Sequence, residues 1–255
     1  MSKEFRVRKA SHVGRGHLLD FVNRQDSHVL FEGELNNKRT IVGIVCDGCS
    51  EGTFSEVGAN LASNFLVREV ARLLKQGVPL SIVPTVVYTA LVNFLQGILL
   101  GFSFVNPSDR VSFIKNNLLF TVVGFILNEE EATVFLAGDG VIVINEEVTY
   151  VDSGNRPSYP AYHLVDRSVL ENQASPLPTG FEITPIPINQ LSRLAIGSDA
   201  WKDEQDLINQ IWGFTNPAGL QRKLNLWSKE KRFRDDVTII TVEIADITEG
   251  DEPCK

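Results

Sequence analysis

The sequence predicts a single α+β domain in which helices cover mainly antiparallel sheets. Short β-prone runs fall into two groups separated by a central pair of helices, the arrangement expected when helices pack on sheets. No internal repeat and no linker divides the 255 residues, and 43% hydrophobic with 22% charged content suits a globular chain with a sizeable core. The reading places an N-terminal arm at residues 1–10, the folded domain at 11–245 and a disordered tail at 246–255.

Residues 1–10 carry scattered basic side chains and lead into a glycine-punctuated stretch from Ser11 to His17. His28 to Glu34 alternates as a strand, Leu35-Asn36-Asn37-Lys38 turns the chain as a hairpin, and Thr40 to Cys46 forms an apolar strand buried on both faces. Thr53 and Glu56 have capping-box spacing for a helix ending near Lys75, and a second helix is expected over Ser81 to Gly101. One or two helical turns over Ser108 to Asn116 precede a meander of strands at Leu118–Leu127, Thr133–Ala137 and Val141–Asn145. Pro, Ser, Asn and Gly between Asp152 and Pro187 predict an irregular excursion acting as a surface flap, with strand fragments near Tyr162–Val165 and Glu182–Pro185. Order returns with a strand at Ser192–Gly197, helices over Ala200–Trp212 and Pro217–Lys229, and a last strand at Val237–Ile244.

Composition narrows the partners. A formal net charge of -8 argues against nucleic acid, because basic residues cluster only in the short runs Arg6–Lys9 and Lys229–Arg234. Three cysteines cannot supply a disulfide framework and the first residues lack a signal-peptide core, so a reducing cytoplasm is expected. Pro79 to Val105 has no charged residue and is long enough to cross a bilayer, yet Pro84, Asn93, Gln96 and the weak flanks favour a buried core helix over a membrane span.

Three acidic residues share one placement at the ends of apolar strands: Asp47 after Ile44-Val45-Cys46, Asp199 after Ala195-Ile196-Gly197-Ser198, and Asp235 just before Val237. Each has a plain structural account. Asp47-Gly48 is a common turn, Asp199 suits a helix cap, and Asp139-Gly140 suits a hairpin turn. If the strands are neighbours, however, the carboxylates converge, and oxygen-only ligands suit Mg²⁺ or Mn²⁺ better than zinc. Cys46 and Cys49 leave a competing reading as a thioredoxin-like redox pair, since a CxxC stands between a strand and a helix.

The segments Val45-Cys46-Asp47-Gly48, Ala137-Gly138-Asp139-Gly140, Ile196-Gly197-Ser198-Asp199 and Arg234-Asp235-Asp236-Val237-Thr238 resemble, in this order, the motifs of the metal-dependent protein phosphatases of the 2C type. The stretch from His17 to Gln25-Asp26, with Ser55-Glu56-Val57-Gly58-Ala59, is similar to a bacterial branch. The resemblance implies a four-layer α-β-β-α sandwich of two mainly antiparallel sheets flanked by helices, with a metal site at one end. It implies that Asp47 bridges two Mn²⁺ or Mg²⁺ ions, that the Gly48 carbonyl holds one, that Asp199 and Asp235 bind the other, and that Asp139 helps to hold a third. Gln25 stands where many members have glutamate, and is expected to ligate directly or through water. The implied activity is hydrolysis of phosphoserine or phosphothreonine in a phosphoprotein by water activated between the ions. The alternative is a weakened member that only binds phosphoproteins or a partner. Phe21 stands where an arginine commonly binds substrate phosphate, which leaves Arg15, Arg24 and His17 as candidates, and Cys49 replaces a histidine often thought to act as acid.

Overall fold

One interior strand has no polar face because each of its faces borders a different core. In the computed structural model, which describes residues 3–154, 156–166, 177 and 179–246, this strand is β3 (Lys38–Gly48). Its Val42, Ile44 and Cys46 join one hydrophobic cluster while Ile41 and Val45 join another, the two-residue period of a strand sorting them. The next strand across, β4 (Phe120–Leu127), divides its side chains the same way, and Gly43 of β3 leaves the room that the Phe125 ring occupies.

The other strands are β1 (Lys3–His12), β2 (Ser27–Leu35), β5 (Glu131–Ala137), β6 (Gly140–Ile144), β7 (Glu147–Val151), β8 (Glu182–Pro187), β9 (Arg193–Gly197) and β10 (Val237–Asp246). They form two five-stranded sheets, ordered β2-β3-β4-β5-β8 and β1-β10-β9-β6-β7, with antiparallel pairing throughout. Among the described residues the α-helices are α1 (Arg15–Asp20), α2 (Ser55–Lys75), α3 (Val83–Leu100), α4 (Pro107–Asn117) and α5 (Gly219–Lys229). One cluster fills the space between α2, α3, α4 and the first sheet, a second lies between the sheets, and a third joins the other sheet to α5 and Trp201. The fold is therefore α+β, with helices outside two stacked antiparallel sheets. Asn36 and Asn37 both take positive φ, 51° and 60°, and close the expected β2–β3 hairpin.

Several expectations are corrected. The segment read as an N-terminal arm is β1, paired along its length with β10, with Phe5 buried in the core between the sheets and Ala10 in the core on the other face. Thr53 does not cap α2; its hydroxyl donates to Asn116 Oδ1. The third strand of the expected meander leaves for the other sheet. β5 and β6 lie in different sheets, so Gly138-Asp139-Gly140 is a crossover rather than a hairpin turn, with Gly138 at φ 88°. The helix expected over Ala200–Trp212 is instead two short 3₁₀ segments, Asp199–Lys202 and Ile208–Gln210. One reason is visible in Arg232, whose guanidinium pairs with both Glu204 and Asp206, residues two apart that an α-helix would point in different directions.

The strand fragment expected at Tyr162–Val165 is a 3₁₀ turn over Pro160–Leu164 packed into the outer core, so this part of the excursion is not a surface flap. Residues 155, 167–176 and 178 of the excursion, and 247–255 of the expected tail, lie outside the described residues. α3 is apolar all round but buried along one face, through Val87, Leu91, Leu95 and Leu99, while Val86 and Leu100 are exposed. It is long and apolar enough to cross a membrane by length and composition. The last strand of the first sheet, β8, has Pro185 and Pro187 opposite Thr133 and Glu131 of β5.

Candidate metal centre

Antiparallel pairing brings distant chain positions to one end of the sandwich. β3 runs out at Asp47-Gly48, β9 runs out just before Asp199, and β10 begins just after Asp235-Asp236, with Gly197 paired to Ile239 of β10 and to Val141 of β6. The β5–β6 crossover adds Asp139. Asp47, Gly48, Asp139, Asp199 and Asp235 all line one cleft of about 1030 Å³, whose walls come from α4 and the segment around Tyr159 and Tyr162.

The acids crowd one another. Asp47 lies within hydrogen-bonding reach of Asp26 and Asp199, and its carboxyl is raised well above the usual range by burial first and then by the charges of Asp26, Asp199 and Asp235. Asp199 presents surface to the cleft but sits deep among protein atoms, so desolvation raises it first and Asp235 next. Asp139 is almost fully buried and raised by that burial, although it accepts from the Ser153 amide and hydroxyl, each at 3.0 Å. Among the described residues the acids of the cleft outnumber its cations, although Lys202 offsets part of the charge at Asp139, and a hard divalent cation would supply the balance.

Two carboxylates outside the expected set complete the centre. Asp26 is fully buried, neither oxygen has a partner in hydrogen-bonding geometry, and burial pushes its carboxyl up to about 7, with Thr238 and Ser198 near enough to ease the rise. Asp236, 2% exposed, accepts from the Gly14 amide at 2.7 Å and the Gln25 amide at 2.5 Å. His17 Nδ1 lies 3.0 Å from Asp236 Oδ1, and its Nε2 is 3.7 Å from Asp235 Oδ1. Asp236 thus joins the start of β10 to the loop before α1 and to the Gln25-Asp26 loop. Gly14 fits this junction because it has no side chain: a Cβ there would lie 2.2 Å from the Asp235 carbonyl carbon. The doublets Gln25-Asp26 and Asp235-Asp236 were the only sequence signals for these two residues, and nothing local shows that Asp235 lines the cleft while Asp236 and both members of the first doublet are buried away from its surface.

The remaining candidates are placed as follows. Gln25 does not line the cleft; its amide donates to the Gly52 carbonyl and its Oε1 is buried without a partner. Arg15, His17 and Arg24 are also absent from the cleft lining. α1 sets His17 beside Asp235 and Asp236, Arg15 is exposed, and Arg24 is held by Ser11 Oγ and the Asp26 carbonyl. Phe21 ends α1 at φ 56° and is 96% exposed. Among the described residues the cations that do line the cleft are Lys115 and Arg156. Cys46 is a free, buried thiol raised well above its ordinary value, by burial first and then by Asp26 and Asp47, which is opposite to the depressed value a redox nucleophile requires.

Comparison with known proteins agrees with this architecture. A bacterial serine phosphatase superposes with a TM-score of 0.62 at 14% identity, covering 96% of this chain and 100% of the other. The serine/threonine phosphatase Stp1 from Staphylococcus aureus gives 0.61 at 14% identity, covering 95% and 96%. The catalytic domain of the serine/threonine protein phosphatase PstP, solved in complex with two manganese ions, gives 0.60 at 13%, covering 96% and 100%. No curated protein matches the sequence at a significant level. The family model described as Protein phosphatase 2C matches residues 13–225, and the chain, with its two antiparallel sheets and flanking helices, belongs to that family.

Proposed function

We propose that this protein is a divalent-metal-dependent phosphatase that hydrolyses phosphoserine and phosphothreonine monoesters in phosphoproteins. The observation that carries the reading is the convergence of Asp47, Asp199, Asp235 and Asp139 on one cleft, with the unpartnered carboxylate of Asp26 directly behind Asp47. The donor set fits Mn²⁺ or Mg²⁺: Asp47, the Gly48 carbonyl, Asp199 and Asp235 would hold two ions, and Asp139 would help to hold a third. When bound, such ions acidify water and neutralise charge on the phosphoryl oxygens.

The protein's own groups prepare that chemistry. Burial first, and then the neighbouring carboxylates, raises the carboxyl groups of Asp47 and Asp199, so a bound cation would offset what disfavours their charged forms. Asp236 fixes the loop carrying Asp26 and the strand start carrying Asp235, so that the floor is assembled before a substrate enters. No side chain is required as a covalent nucleophile. The free thiols of Cys46 and Cys49 support placement in a reducing cytoplasm.

The test is release of phosphate from p-nitrophenyl phosphate and a phosphothreonine peptide with and without Mn²⁺. Metal-dependent turnover that Asp47→Asn and Asp199→Asn abolish supports the enzyme. Absence of turnover at saturating Mn²⁺ favours instead a binding module, a reading that the exposed Phe21 and the substitution at Cys49 keep in view.

A further inference from the structure

The rim of the cleft is acidic, with Glu51 and Asp166 above Asp47, Asp139, Asp199 and Asp235. A phosphomonoester carries a charge of about −1.5 to −2 near neutral pH, so its outer oxygens need positive charge beyond the floor. Arg15, His17 and Arg24 do not line the cleft, whereas Lys115 and Arg156 do. Among the described residues neither Lys115 nor Arg156 has an ion-pair partner, which is true also of exposed cations such as Arg68 and Lys231; what sets the two apart is that they line this cleft.

Both cations stand on anchored backbone. Lys115 is in the last turn of α4, which is fastened to the loop that follows Asp47-Gly48: Phe54 N–H donates to the Asn116 carbonyl at 2.8 Å, and Cys49 N–H to the Leu119 carbonyl at 3.0 Å. Arg156 precedes Pro157, which lies against Gly138 beside Asp139, and the chain then enters the buried turn at Tyr159. The two side chains therefore enter the cleft from different walls. A lysine at a helix C-terminus also complements the helix dipole, and an exposed arginine is often only solvated, but neither account explains why both unpaired cations border the same acidic site.

We propose that Lys115 and Arg156 bind the phosphate of the substrate. Arg156 offers a planar fork to two phosphate oxygens and Lys115 a point charge from the end of α4, replacing a grip that Phe21 cannot supply. The inference rests on the phosphatase reading and names the residues that select a phosphorylated side chain at that site.

The experiment compares wild type, Lys115→Met, Arg156→Met, Arg156→Lys, the double Met variant and Arg222→Met as an exposed control on α5. Three quantities are read on the Mn²⁺-loaded protein: KM and kcat for a phosphothreonine peptide, the dissociation constant of inorganic phosphate by calorimetry, and that of Mn²⁺. Each Met substitution is expected to weaken phosphate binding and raise KM by about five- to tenfold, as for a partly exposed charge-assisted contact. The double variant should lose more, Arg156→Lys should recover part of the loss, and kcat, Mn²⁺ affinity and melting temperature should change little. Unchanged phosphate affinity in the double variant overturns the proposal while leaving the phosphatase reading intact. If wild type binds phosphate but shows no turnover, the phosphatase reading fails and the binding comparison still decides the grip. If wild type binds no phosphate at all, the proposal is overturned.

Discussion

The floor and the walls of the cleft are built on different principles. The floor hangs on strand ends: Asp47 closes β3, Asp199 follows β9 and Asp235 precedes β10, each fixed by ladders that extend through the two cores. The walls are α4 and the connection from Ser153 to Asp166, held by a few backbone contacts and by the packing of Tyr159 and Tyr162. The floor can set carboxylates with the precision metal binding demands, while the walls can vary in charge and shape without disturbing it.

The comparison breaks if the floor proves dispensable. Asp47→Asn and Asp199→Asn are expected to lower Mn²⁺-dependent turnover by roughly a thousandfold or more, since each removes charge from the groups proposed to hold the ions. Circular dichroism should show the fold retained, and a residual activity near wild type would remove the floor from the chemistry.

Behind the floor, Asp236→Ala strips the acceptor from the Gly14 and Gln25 amides, and Asp26→Asn removes the unpartnered carboxylate beside Asp47. Loss of such supporting groups is expected to weaken Mn²⁺ binding by about 10- to 100-fold, measured by calorimetry. Asp236→Asn should fall between wild type and Asp236→Ala, because its amide oxygen still accepts one bond.

A smaller effect concerns pH. The native carboxyl of Asp26 is raised from 3.8 to about 7, so between these values the folded metal-free protein binds more protons than the unfolded chain, and stability contributed by this group falls as pH rises. His28 works in the opposite sense: burial lowers it from 6.5 to about 4, so its contribution rises with pH across that window. The difference in melting temperature between wild type and Asp26→Asn, followed from pH 4 to 8 in EDTA, isolates the first trend. Mn²⁺ should reverse it, and its affinity should increase with pH as carboxyl protons are displaced.

The smallest effect is expected of the thiols. Cys46→Ala with Cys49→Ser should change turnover by less than about threefold, because a small buried hydrophobe rather than a thiolate is what position 46 requires. A loss comparable to that of Asp47→Asn would revive thiol chemistry.

The floor was legible in the sequence because its signals are local. An apolar run that stops at an acid reads as a strand end whatever lies beside it, and four such segments in order identified the family. What escaped depends on partners far away in the chain. Asp236 is placed by the amides of Gly14 and Gln25 and Asp26 by its approach to Asp47, contacts that no local pattern announces. Glycine and aspartate at 138–140 have the same local chemistry in a hairpin as in a passage between sheets. The buried spacing of Trp201, Leu207, Ile208 and Ile211 imitates a helix, whereas the chain forms two 3₁₀ turns with Glu204 and Asp206 both turned to Arg232. Lys115 and Arg156 carried no signal, since an isolated cation gains meaning only from the cavity it borders.

β8 has a consequence for how copies of this molecule meet. Alternate residues of an edge strand direct their N–H groups outward, and at 185 and 187 that donor is replaced by a proline ring. A second copy approaching this margin finds too few donors to extend the ladder, so in concentrated solution this side of the sandwich resists strand-by-strand polymerisation.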